Sequence, residues 1–194
     1  FSGNEICDAR FSKSCGGVSE LFSSCWNDED KSYLQPIRDS ACYSLPDLTN
    51  EANAEKWIRS APESFCNSND DKVLSQVLND YDLETKDFYR WKVVYKATEL
   101  SALVKKNTGI DFGSIKNLVP LRRGASGRII ELLIEGTKKQ MIIGKELEIR
   151  RVLSNSHLKS SAFVVDCFDA DSEGVPARIE TVGAGWGHGV GLCQ

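Results

Sequence analysis

A chain of 194 residues, 41% hydrophobic and 27% charged, has enough apolar material for one sizeable core and the composition of an ordinary globular protein. With 24 basic and 28 acidic residues its net charge is −4, and without a basic stripe this argues against nucleic-acid binding. No apolar run approaches membrane-spanning length, which excludes a transmembrane reading.

Seven cysteines without a C-x-x-C pair speak against a zinc ribbon or a thioredoxin-type site. They suit an exported protein with one or two disulfides, and Cys42–Cys66 is the first pairing expected. The chain opens at Phe1, without a methionine or a signal-like segment, and reads as a fragment or processed form.

Residues 4–15 read as a short strand anchored by Ile6 and Phe11. Gly16-Gly17 breaks it. Ser19 is placed to cap a short helix through Leu21, Phe22 and Trp26, with Glu20 in its first turn, where an acid could also serve only the helix dipole. Pro36 and Pro46 exclude a long helix over 27–49. Thr49 or Asn50 caps a helix through Ala52, Ala54, Trp57 and Ile58, and Asp70 or Asp71 caps another bearing Val73, Leu74, Val77 and Leu78. Residues 40–85 therefore read as a helical insertion or subdomain within a single domain spanning 1–194.

From Phe88 to Lys96 the residues alternate, placing Tyr89, Trp91, Val93 and Tyr95 on one face that suits a core or sugar rings. Thr98 caps a helix through Leu100, Leu103 and Val104 that ends at Gly109. Strands follow at 115–121 and 128–134, separated by Arg123-Gly124-Ala125-Ser126-Gly127, and a hairpin returns at 140–143. A short amphipathic helix over 145–153 precedes strands at 162–168 and 178–182. The fold class is α+β: a mostly antiparallel sheet with several short helices.

The last strand runs into Gly183-Ala184-Gly185-Trp186-Gly187-His188-Gly189-Val190-Gly191-Leu192-Cys193-Gln194. Extended, this ribbon has one bare face and a second face carrying Trp186 and His188, so a ligand or another backbone can come close. It is no phosphate loop, because the third glycine would fall on His188, Val190 or Leu192 and no G-K-[ST] follows. A glycine strand packed beneath another element is the structural alternative.

The corner 14–20 and the ribbon together supply Cys15, Glu20 and His188. Cys15 with His188 as its base is one candidate pair; Ser24-Cys25-Trp26 lacks the Cys-Gly that precedes a papain-type nucleophile. The other candidate is a lone carboxyl acting first as acid and then as base. With no second acid in either motif, it suits a lytic transglycosylase, where the sugar's own hydroxyl replaces water. The set His157, Cys167, His188 and Cys193 matches no usual zinc spacing, so no metal or other cofactor is expected.

Ser14-Cys15-Gly16-Gly17-Val18-Ser19-Glu20 and the ribbon resemble the two signature motifs of the SpoIID/LytB family. The stretches at 123–128, 149–153 and 158–163 are similar to it as well. The resemblance implies a SpoIID/LytB-like fold and a peptidoglycan lytic transglycosylase. Its substrate would be glycan strands stripped of stem peptides, cleaved between N-acetylmuramic acid and N-acetylglucosamine. Glu20 would donate a proton to the glycosidic oxygen and then take one from the muramic C6 hydroxyl as a 1,6-anhydro ring closes.

Ser14, Gly16, Gly17 and Ser19 of the first motif, with Trp186, Gly187, His188, Gly189 and Gln194 of the second, would line the glycan site. Arg10, Lys13 and Arg128 would meet the lactyl carboxylate. Other members of the family enhance cell-wall amidases without chemistry, which makes an amidase the alternative partner. Either role implies an exported, periplasmic or envelope-associated protein. The family's usual N-terminal strand and helix, and its helix after the ribbon, are missing here. Some members hold zinc through Cys and His; residues 21–156 contain no histidine, so that site does not carry over.

Overall fold

The computed structural model describes residues 1–68, 70–77 and 87–194. Position 69 and positions 78–86 lie outside this range, and with them Leu78 and the end of the 40–85 segment. In chain order the elements are β1 (Phe11–Ser12), a 3-10 helix (Phe22–Ser24), α1 (Glu51–Ser60), α2 (Asp71–Val77), β2 (Arg90–Lys96), α3 (Ala97–Thr108), β3 (Ile115–Arg123), β4 (Ile129–Gly136), β5 (Gln140–Ile143), α4 (Glu146–Val152), β6 (Phe163–Ala170), β7 (Pro176–Ala184) and β8 (Leu192–Cys193).

The architecture is α+β. β2-β7-β6 and β3-β4-β5 form two antiparallel sheets, while β1 and β8 pair in parallel. Trp91 and Tyr95 lie four residues apart on one face of β2, and both are buried with Leu100 and Val104 of α3, Phe163 of β6 and Ile179 of β7. Leu118, Ile129, Leu132 and Ile134 bring the β3–β4 hairpin into the same core. The aromatic side chains of β2 thus pack inward, at roughly 25 cal/mol for each Å² of apolar surface removed from water, and Trp91 and Tyr95 offer no platform for sugar.

α1 starts where the Asn50 side chain accepts from the Asn53 N–H and stops at the left-handed Ala61. Its Trp57 and Ile58 pack with Val18, Leu48, Ala162, Val164 and Ala184, so the first helix of the 40–85 segment is built into a core beneath the Gly-Gly corner. α3 ends at Gly109, φ 73°, as its sequence predicts, but Thr98 falls inside the first turn and Lys96 occupies the cap position. No helix among the described residues is long and apolar enough to cross a membrane.

Two expectations fail near the N-terminus. Only Phe11–Ser12 of residues 4–15 is strand, and Ile6 and Phe11 are 83% and 59% exposed, because this segment is held by pairing with β8 and not by an apolar face. Ser19 caps no helix either. Its hydroxyl accepts from the Ile37 N–H at 2.9 Å, and Leu21 precedes the 3-10 helix. Glu20 therefore sits outside any helical turn, and the dipole account of it falls away. The expected Cys42–Cys66 bridge is not formed; all seven cysteines are free, and Cys66 faces Cys15.

Candidate functional site

The two motifs, at opposite ends of the sequence, lie side by side. β1 pairs with β8, Ser14 exchanges two backbone hydrogen bonds with Trp186, and the Glu20 N–H donates to Gly189 O at 2.9 Å. The ribbon between β7 and β8 is not an extended strand. Gly185, Gly187, Gly189 and Gly191 all have φ between 73° and 98°, so left-handed residues alternate with ordinary ones and the simple two-face picture does not apply. At Gly189 space is decisive as well. A Cβ there would lie 2.4 Å from the Arg128 guanidinium carbon.

Glu20 is the carboxylate at this junction, and none of its surface is exposed. Its Oε1 accepts from Leu21 N–H at 2.9 Å, Ser24 Oγ at 3.0 Å and Ala125 N–H at 2.9 Å. Its Oε2 accepts from Ser126 N–H at 3.1 Å and Ser126 Oγ at 2.5 Å. A carboxylate only accepts, and five donors come close to using all its lone-pair directions. Three of the five come from the turn between β3 and β4. That turn can lie against the carboxylate because Gly124 has no side chain, and a Cβ there would sit 2.5 Å from Oε1.

Two buried arginines hold the ends of this turn. Arg123 pairs with Glu51 of α1 and donates to Gly127 O and Phe163 O. Arg128, also without exposed surface, donates to Gly187 O, Cys15 O and Ser126 Oγ at distances from 2.8 to 3.2 Å. Arg128 thus ties ribbon, corner and turn together, and its guanidinium faces backbone carbonyls where a lactyl carboxylate was expected.

The other expected residues divide into two groups. Ser14, Gly16, Gly17 and Ser19 are buried. Gly16 O accepts from Trp57 Nε1 and Arg90 Nη1, and Gly17 O accepts from Asp39 N–H. Trp186, Gly187 and His188 are half-buried, Gly189 is buried, and Gln194 is exposed with its N–H donating to Ser12 O. Trp186 stacks on Phe88 at 5.1 Å, with Lys13 and Lys159 ammonium groups 4.4 and 5.3 Å from its ring. Arg10 lies 4.3 Å from the Trp26 ring, and Trp26 meets His188 edge-on at 4.8 Å. The partly exposed part of the site is therefore aromatic and cationic.

His188 accepts from the Val190 N–H through Nδ1 at 3.0 Å, which leaves the proton of the neutral ring on Nε2. Burial, followed by the positive charges of Arg128, Arg150 and Arg10, pushes its pKa down to about 4. It is thus neutral at ordinary pH. Cys15 does not pair with it, since the Cys15 thiol lies 3.8 Å from that of Cys66. The Cys25 thiol points to His188 O and is pushed up by burial, the reverse of an activated nucleophile.

The Glu20 cradle is what sequence reasoning overlooked. Ser24, Ala125 and Ser126 supply its donors, and the run of small residues 124–126 is the signal for it, because consecutive backbone N–H groups reach a carboxylate only where bulk is absent. The set His157, Cys167, His188 and Cys193 does not assemble. Among the described residues the metal-competent group is Cys15, Asp39, Cys66 and Cys193.

Neither a curated protein nor a solved structure matches this chain. A family model does match, over residues 20–191, from the buried carboxylate to the last glycine of the ribbon. The chain belongs to the family described as Domain of unknown function (DUF8618).

Proposed function

We propose that the chain is an exported, envelope-associated lytic transglycosylase that cleaves denuded peptidoglycan strands, with Glu20 as the single acid and base. The observation that carries this reading is that Glu20, the acid of the first motif, joins the ribbon through its backbone N–H to Gly189 O and the 123–128 turn through its carboxylate, beside a half-exposed surface of Trp186, Trp26, His188, Arg10 and Lys13. Such a surface suits an anionic sugar chain: rings pack on the aromatics and the lactyl carboxylate meets the cations.

An acid catalyst must present a proton, and a carboxylate that accepts five hydrogen bonds presents none. The closed arrangement is then a resting state. Glycan reaches Glu20 when residues 124–126 lift, taking three donors with them and leaving Leu21 N–H and Ser24 Oγ in place. His188, neutral, shapes the site beside Trp26 and takes no part in proton transfer.

A second reading, a non-catalytic glycan-binding enhancer of a cell-wall amidase, is favoured by the complete burial of Glu20, whose polar capacity is spent inside the fold. One experiment separates the two. Protein is incubated with denuded glycan strands, and the products are searched by mass spectrometry for 1,6-anhydro-muramyl ends. The transglycosylase reading expects such ends from wild type and none from Glu20→Gln shown to be folded by circular dichroism. Glycan binding without anhydro ends from either protein selects the enhancer.

A further inference from the structure

Four side chains that this chemistry does not use converge on one point. The sulfurs of Cys15, Cys66 and Cys193 and a carboxylate oxygen of Asp39 all lie within 4.8 Å of one another. They come from distant parts of the chain, yet backbone contacts fix each of them. Ser14–Trp186 pairing places Cys15, and β1–β8 pairing places Cys193 opposite Ser12. Asp39 N–H donates to Gly17 O, and Phe65 N–H to Asp39 O, which sets Cys66 beside them.

We propose that these four residues form a structural zinc site, three thiolates and one carboxylate in tetrahedral array. The Cys15 and Cys66 sulfurs are 3.8 Å apart. A disulfide needs about 2.05 Å. Two thiolates on one tetrahedral zinc, each about 2.3 Å from the metal, stand about 3.8 Å from each other. A backbone donor already faces one of the sulfurs: the Cys15 N–H donates to Cys193 Sγ at 3.1 Å. Such a donor stabilises thiolate charge and orients the ligand. Asp39 is oriented in the same way, its Oδ2 accepting from Ser64 Oγ and Cys66 N–H, each at 2.9 Å.

The donor set chooses the metal. Three soft sulfurs disfavour magnesium and calcium, and four protein ligands leave no open position, so the ion is structural and not catalytic. Its mechanical effect follows from where the ligands lie. Cys15 stands five residues before Glu20 and Cys193 lies near the end of the ribbon, so one ion clamps both motifs to the loops flanking α1. No histidine takes part, and the ligand spacing follows no sequential pattern.

The test is metal analysis of the full chain purified without chelator. About one zinc per chain is expected by plasma mass spectrometry. Cobalt exchanged into it should show the intense tetrahedral d–d bands and the sulfur-to-cobalt charge-transfer band of thiolate ligation. Removing the metal under reducing conditions should lower Tm. Cys66→Ser and Cys193→Ser should each weaken binding more than about 100-fold, since even outer-shell changes cost about 10–100-fold, whereas Cys42→Ser should bind as wild type does. If a serine variant fails to fold, the cobalt spectrum of the wild type decides. Folded wild type that holds no zinc and takes up no cobalt overturns the proposal, as does a peptide map showing a disulfide between any two of Cys15, Cys66 and Cys193.

Discussion

Replacing Glu20 by glutamine changes one atom in a fully buried cradle, and the structure says what that atom was doing. With the amide oxygen in the place of Oε1, the bonds from Leu21 N–H, Ser24 Oγ and Ala125 N–H survive. The amide nitrogen then meets the Ser126 N–H, donor against donor, while the Ser126 hydroxyl can turn to donate elsewhere. One orphaned backbone N–H costs about 1–3 kcal/mol, and the surviving bonds lose the charge that makes them about twice as strong as neutral ones. The sum is a destabilisation of about 2–4 kcal/mol. Glu20→Ala, which strips partners from three backbone N–H groups and leaves a cavity, should cost about 4–6 kcal/mol. In urea, with a slope of about 2 kcal/mol per M, the glutamine variant should unfold at a midpoint lower by about 1–2 M. Hydrogen exchange should speed up at the Ala125 and Ser126 amides. If Glu20→Gln unfolds within about 0.5 kcal/mol of wild type with those amides still protected, the carboxylate is not what holds the turn and the reasoning fails.

Gly189→Ala places a methyl against a guanidinium pinned by Gly187 O and Cys15 O, at φ 78°, and should destabilise by about 3 kcal/mol or more in the same denaturation assay. Arg123→Met leaves the carbonyls of Gly127 and Phe163 without their donor and Glu51 without its partner, for an expected loss of about 3–4 kcal/mol. His188, with a pKa lowered from 6.5 to about 4, binds its proton less readily folded than unfolded, so its contribution is complete above about pH 6.5 and is lost as pH falls towards 4. After discounting for the partial exposure of the ring this amounts to about 2 kcal/mol. Urea midpoints across that window should fall more steeply for wild type than for His188→Asn, and parallel curves would refute it.

Regular elements were the easy part of this sequence. Asn50 before α1, Gly109 after α3 and the alternation over 90–96 each encode their structure within a few residues, so the helices and the antiparallel strands appear close to where local patterns put them. The ribbon is different. Alternating glycines fit an extended strand and fit equally a chain that turns left-handed at every second residue. What selects the second is the Arg128 guanidinium packed beneath Gly189, and Arg128 lies 61 residues away in the chain. Arg128 itself was expected to face the substrate's lactyl carboxylate because nothing adjacent to it announces burial; its partners are carbonyls of Cys15 and Gly187. The thiol cluster hid for the same reason, since its members belong to no common sequence motif and meet only once both chain ends are clasped.

That clasp bears on how a sealed carboxylate could ever work. The turn over Glu20 is fastened at Arg123, to α1 and β6, and at Arg128, to the corner and the ribbon. Between these anchors residues 124–127 are held by two local backbone bonds, Gly127 N–H to Gly124 O and Gly124 N–H to Arg128 O, by one bond from each arginine, to Ser126 Oγ and Gly127 O, and by their bonds to Glu20. Motion of residues 124–126 alone would therefore break three hydrogen bonds to the carboxylate and the Arg128–Ser126 bond, while the bonds of Arg128 to Cys15 O and Gly187 O, those of Arg123, the 14–186 bridge and the thiol cluster stay in place. Bound sugar can supply hydroxyls to replace those donors, and water can too, so the net cost of opening is far below the sum of the bonds broken. On the transglycosylase reading the rigid parts keep Glu20 in register with Trp186 and His188 while only the small residues above it move. On the enhancer reading the same tip has no reason to open, and exchange at the Ala125 and Ser126 amides should be unchanged when glycan binds. Faster exchange there in the presence of glycan is the result the enzyme requires.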